Sequence, residues 1–128
     1  MVSFKHEADK LKYWDLAPVL LVIAHTMSVW AVDKGLDFKV TETMTTAAVD
    51  KAIGRVSSSH RQGRAIDVSV IGWNSNEIVE FVDEFSTLYK DFAAISGSTL
   101  KPTLVVFHDI GLGAHFHIQI HPKYKVVK

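Results

Sequence analysis

Hydrophobic residues along this chain recur with two periods, and the changes of period divide it into helices and strands. Asp15 to Lys34 is apolar almost throughout and predicts a mostly buried helix, with Asp15 as N-cap, Pro18 in the first turn and Gly35 as the C-terminal stop. From Leu36 to Thr43, Phe38 and Val40 alternate with polar neighbours, the period of a strand. Thr46 to Ile53 reads as a short helix ended by Gly54, and Val56 to Ser59 as a polar loop. Ala65 to Ile71 reads as a strand, because Ile66, Val68 and Val70 alternate with Ala65, Asp67 and Ser69.

Glu77 to Phe92 gives the clearest helix, with Ile78, Phe81, Val82, Phe85, Leu88, Tyr89 and Phe92 at helical spacing. Asn74 with Glu77 three residues on has the pattern of a capping box. After a turn at Ser96 and Gly97, Thr103 to His108 and Ala114 to His121 read as two strands joined through Gly111 and Gly113. The expected architecture is one α+β domain over residues 1–128, with helices packed on a small, mainly antiparallel sheet.

Composition narrows the chemistry. The 128 residues are 48% hydrophobic, enough for a core without covalent staples. There is no cysteine, so disulfides, thiolate metal sites and cysteine nucleophiles are excluded. Lys plus Arg and Asp plus Glu both number 14, which argues against a nucleic-acid partner. The longest apolar run, Leu16 to Ala24, is far short of the roughly 20 residues of a membrane span. Met1 to Lys12 is polar and charged, unlike a secretory leader. The expectation is a soluble protein without a signal peptide, made in the cytoplasm and not bound to membranes.

The last strand carries the most chemistry. Side chains alternate faces, so Phe116, Ile118 and Ile120 belong to the core while His115, His117, Gln119 and His121 share the other face. Packing does not call for three histidines on one face, and protonated they would repel; a shared metal accounts for them. His60 ends a loop and Asp67 lies on the following strand, with Gly63 permitting a tight turn between them and Ala65 leaving space. Two ligands from this turn and one from the histidine strand give a nitrogen, oxygen, nitrogen set that suits zinc and leaves a fourth position for water. The plainer account of His60 and Asp67 is a cap or an ion pair. His121, beside Pro122, reads as a solvated strand end, His108 with Asp109 as a polar loop end, His25 as a core histidine and His6 as solvated. Lys123, Lys125 and Lys128 form a basic tail.

Ser58, His60, Gly63, Ala65 and Asp67 fit the string S-x-H-x-x-G-x-A-x-D, and His115-Phe116-His117 fits H-x-H. With both motifs, the chain from about Asp37 to Ile120 resembles the LAS group of zinc peptidases. That group holds the D-alanyl-D-alanine carboxypeptidases and dipeptidases and the L-alanyl-D-glutamate endopeptidases of phage lysins. The resemblance implies the hedgehog/D-Ala-D-Ala peptidase fold, Zn2+ on His60, Asp67 and His117, and His115 beside the metal as the catalytic residue that moves a proton or stabilises the attacked carbonyl. Ser58, Arg64 and Trp73 are the candidates for contacting substrate. The implied substrate is a bacterial peptidoglycan stem peptide, and the implied setting a monomeric cell-wall hydrolase, phage-encoded or virion-associated.

The chain departs from the family at two positions. Many relatives have an acidic residue three positions before the last ligand, where this chain has Ala114; carboxypeptidase relatives have an arginine about sixteen residues before the first ligand, where it has Met44. Arg55, Arg61 and Arg64 are the possible replacements. A second reading is therefore a metal-binding structural or assembly module with impaired catalysis, for example in a virion. A third is a metal-dependent hydrolase of a non-peptide substrate.

Overall fold

The computed structural model describes residues 2–97, 99–110 and 113–126. In chain order these form strand β1 (Val2–Phe4), helix α1 (Glu7–Lys12), a 3₁₀ turn at Tyr13–Asp15, helix α2 (Pro18–Asp33), strand β2 (Phe38–Glu42), helix α3 (Ala47–Ala52), strand β3 (Ala65–Ser69) and helix α4 (Ser75–Leu88). A 3₁₀ turn at Lys90–Phe92 leads to β4 (Ala94–Ile95), β5 (Pro102–Thr103), β6 (Val105–Ile110) and β7 (Gly113–Gln119). The fold class is α+β, as expected. The main sheet runs β1-β2-β3-β7-β6, and β4 pairs with β5 separately.

That sheet is mixed: it departs from the antiparallel expectation in one pairing. β1 runs parallel to β2, and the other pairings are antiparallel. The N-terminal segment had no strand signal because three half-buried residues, Val2 to Phe4, are too few to show a period. Gly111, expected in the link between the last two strands, and Lys128 of the basic tail lie outside the described residues.

Local sequence explains most boundaries. α2 starts at Pro18 instead of being capped by Asp15, which lies in the preceding 3₁₀ turn. Proline suits the first helical position and drives the residue before it to extended backbone, here Ala17 at ψ 133°. Gly35, at φ 73°, follows its end. α4 has the expected capping box: Asn74 accepts from the Glu77 amide at 2.8 Å, and Glu77 accepts from the Asn74 amide at 2.9 Å. Thr46 caps α3 by accepting from the Val49 amide.

One sheet face forms the core. Phe38, Val40, Ile66, Val68, Phe116 and Ile118 are fully buried there, against Leu20, Ile23 and Met27 of α2 and Phe81 and Phe85 of α4. Phe81 stacks on Phe116 with ring centres 4.5 Å apart, and Trp73 packs edge-on to both. α2 is less buried than its composition suggests: Val22, Val29 and Val32 face outward, and His25 lies exposed among them, not in the core. His25 falls on the outward side because Leu20, Ile23, Ala24 and Met27 occupy the inward stripe. No helix among the described residues is long and apolar enough to cross a membrane.

Burial raises the Tyr13 hydroxyl to about 12. Below about pH 10 the phenol is protonated in both folded and unfolded chains, so it leaves stability unchanged with pH. Between about pH 10 and 12 the unfolded chain releases its proton first, and stability falls as pH rises. Chemical denaturation should therefore show wild type losing stability relative to Tyr13→Phe above about pH 10, and a constant difference would refute this. At neutral pH, Phe81→Ala should cost about 3–5 kcal/mol, since Phe81 is fully buried in the aromatic cluster.

Candidate metal centre

The other sheet face carries the titratable groups. β3 lies between β2 and β7, and its register sets Asp67 opposite His117 on one side and Glu42 on the other. His60 reaches the same point from the turn before β3. Gly63 closes that turn at φ 71°, and a Cβ there would collide with the Val126 side chain. The Gly63 amide donates to the His60 carbonyl and the Gln62 amide to the Ser58 carbonyl. Ser58 thus shapes the turn through its backbone, while Ala65 is wholly buried beneath it.

His60, Asp67 and His117 can each place one ligand atom within 4.8 Å of the others, a group that could hold a metal ion. Asp67 Oδ1 is 3.2 Å from His60 Nε2 and 3.0 Å from His117 Nδ1. The remaining nitrogens identify the tautomers. His60 Nδ1 lies 2.8 Å from the Thr43 carbonyl, which only accepts, so Nδ1 carries the proton in the neutral ring. The Gln119 amide nitrogen donates to the Thr103 carbonyl, which turns Gln119 Oε1 toward His117 Nε2 at 3.1 Å. Both neutral imidazoles therefore aim a lone pair at the Asp67 carboxylate. Three electron-rich atoms at one point need a cation among them, either a proton or a metal. The acceptors behind each ring are the outer-sphere partners that metal-bound histidines use.

The electrostatics agree. Burial alone would lower His60, but the hydrogen bond and charge of Asp67, with Glu42 and the Thr43 carbonyl, outweigh it and raise the pKa. Burial would raise Asp67, but His117 and His60 hold its carboxyl far below the usual range. A carboxylate held ionised beside two imidazoles suits a divalent ion.

Two further groups complete the surroundings. Along Phe38 to Glu42, strict alternation would point Glu42 into the core with Phe38 and Val40. A register shift between Val40 and Glu42 turns it to the metal face. There Glu42 Oε1 is 3.4 Å from His60 Nε2 and 2.6 Å from Arg55 Nη2, a charge contact without aligned hydrogen-bond geometry. Sequence reasoning passed over Glu42; its charge at a core-period position was the available signal. His108, read from sequence as a loop-end residue, instead lies in β6 opposite His115, with ring centres 5.3 Å apart. Burial, then His115 and His117, lower its pKa.

The remaining candidates are dispersed. His115 is half-buried on the same face, with Nδ1 3.3 Å from the Gly113 carbonyl. Arg64 is buried; it donates to the Ile120 carbonyl at 3.0 Å and to Gln62, and lines a cavity of about 380 Å³ with Ser57, Ser96, Gln119 and His121. Gln119 connects that cavity to His117. Trp73 is packed in the aromatic core and its indole N–H donates to the Asp37 carbonyl, so its ring supports the sheet from the face opposite the histidines. Arg61 contacts Asp50, as Arg55 also does. Met44 packs against the core. His121 caps the 3₁₀ turn at Pro122–Tyr124 by accepting from the Lys123 amide. No protein-family model, curated protein or solved structure matches the chain.

Competition with a chromophoric chelator should show Asp67→Ala abolishing tight zinc binding. Gln119→Leu, which removes the acceptor behind His117 together with the donor to the Thr103 carbonyl that orients it, should weaken it about 10- to 100-fold. Unchanged affinity in Asp67→Ala would place the metal elsewhere.

Proposed function

We propose that this protein is a zinc-dependent hydrolase of peptide bonds in bacterial peptidoglycan stem peptides. The observation that carries this reading is the convergence of two imidazole lone pairs and one carboxylate oxygen on a single point, on a sheet face that also bears His115 and Glu42. Three protein donors leave an ion an open position, the mark of a catalytic rather than a structural site. The substrate class comes from the paired motifs around His60 and His117 and their likeness to the LAS peptidases.

Zinc bound there would polarise a carbonyl and make its water acidic. The chain's own groups supply the rest. His60 and His117 are held by Thr43 and Gln119 so that their ligand nitrogens face inward. Glu42, on the far side of His60 from the Thr43 carbonyl, stands as the carboxylate that accepts a proton from the attacking water, a role Ala114 cannot fill. Arg55 holds Glu42 in place and keeps positive charge beside the centre. His115 keeps Nδ1 on the Gly113 carbonyl, leaving Nε2 to take or return a proton at the leaving group. The polar cavity at Arg64 and Gln119 would receive the polar end of a bound peptide.

A second reading, an assembly module with the same metal site, is favoured by one observation. An apolar groove of about 540 Å³ lies between the N-terminal segment and α2, lined by Val2, Phe4, Tyr13, Trp14, Leu21 and Val22 among others. Trp14 is 75% exposed beside it.

Purified protein incubated with defined muropeptides should yield chelator-sensitive products by mass spectrometry, the masses naming the bond. His115→Ala should slow cleavage about 10²- to 10⁴-fold while retaining zinc. Light scattering should find a monomer. Absence of cleavage by the zinc-loaded protein, with a concentration-dependent dimer that Trp14→Ser disrupts, would favour the assembly module instead.

A further inference from the structure

We infer a second, weaker site for a divalent transition ion, formed by His108 and His115 across β6 and β7. The two residues are direct partners in the antiparallel register, and their ring centres lie 5.3 Å apart with planes inclined by 36°. Both are half-buried on the face that carries the metal triad, and neither is one of its ligands.

The donor atoms are available. His115 commits Nδ1 to the Gly113 carbonyl, which leaves its Nε2 as a lone pair. Among the described residues, neither ring nitrogen of His108 has a hydrogen-bond partner. Two nitrogens on one tetrahedral ion stand about 3.3 Å apart, given metal–nitrogen bonds of about 2.0–2.1 Å. Residues directly opposite on adjacent strands have Cβ atoms about 4.5–5.5 Å apart, which puts both rings within range of one shared ion. Imidazole donors select zinc, copper or nickel over magnesium or calcium. His117 cannot join as a third ligand: its ring is 6.1 Å from that of His108, and its two nitrogens face Asp67 and Gln119. Two protein ligands with water completing the shell hold an ion more weakly than the triad does.

The pair has a consequence that rests on the peptidase reading. An ion held by His115 Nε2 removes the nitrogen that would handle the leaving-group proton, so excess zinc would inhibit the zinc enzyme. The existence of the second site does not depend on that reading.

Equilibrium dialysis against zinc up to millimolar free concentration, with metal counted by mass spectrometry, tests it on the whole chain. Wild type should bind two ions, the second roughly tenfold or more weaker, as expected for fewer protein ligands. His108→Gln should bind only the tight ion and Asp67→Ala only the weak one. Ring-proton resonances of His108 and His115 should broaden only as the second equivalent fills, a readout independent of activity. A single ion at every zinc concentration, or a second ion that persists in His108→Gln, would overturn the inference. Loss of nothing in Asp67→Ala would instead count against the triad, so the two failures are separate.

Discussion

Asp67 lies at the middle of the sheet with a histidine on each side, and the arrangement of the site follows from what its carboxylate must face. Oδ1 meets His60 Nε2 and His117 Nδ1 at hydrogen-bond distance while the residue is largely removed from water. An ionised carboxylate in that position needs positive charge, and two neutral imidazoles supply none. Either protons or a metal must provide it. Thr43 and Gln119 hold both rings in orientations that suit a metal. The bulge in β2 adds Glu42 and the bend at Gly63 brings in His60, so two local departures from regular backbone build the centre on an otherwise ordinary packed sheet.

The opposite face provides the rigidity. The same alternation that sets Asp67 and His117 on one face buries Ile66, Val68, Phe116 and Ile118 on the other, against α2 and α4. A one-residue slip of β3 or β7 would exchange the two sets, so the core fixes the register of the ligands. The stacked rings of Phe81 and Phe116, with Trp73 edge-on to both, support the strands directly behind them.

Much of this was legible in the sequence, and the misses have physical causes. The alternation of β7 separated its core residues from its histidines correctly, and the capping box at Asn74 and Glu77 formed as read. His60, Asp67 and His117 come together because short turns and strand period are local properties. Glu42 escaped notice because the register shift in β2 reverses its facing, and the one trace of that in the sequence is a charge at a core-period position. His108 was misplaced because β6 continues two residues past the expected end of its period. β1 went unseen because its three residues are too few to show a strand period. Trp73 was open to two readings, a cleft wall or core packing, and the structure shows the second: its neighbours and the Asp37 carbonyl hold the indole in the core.

At the two positions where the sequence departs from the LAS motif pattern, the structure shows what the side chains do instead. Met44 packs against the core, while Arg55 reaches the cluster through Glu42. Glu42 offers a carboxylate on the same face as His115. The central claim is that His60, Asp67 and His117 form one divalent-metal centre. X-ray absorption at the zinc edge on protein loaded with one equivalent tests it most directly. Zinc on the triad should show only nitrogen and oxygen neighbours at about 2.0–2.1 Å, two of them imidazole, with one imidazole lost in His117→Ala. Zinc that stays loosely hydrated, or a shell unchanged in that variant, would contradict it.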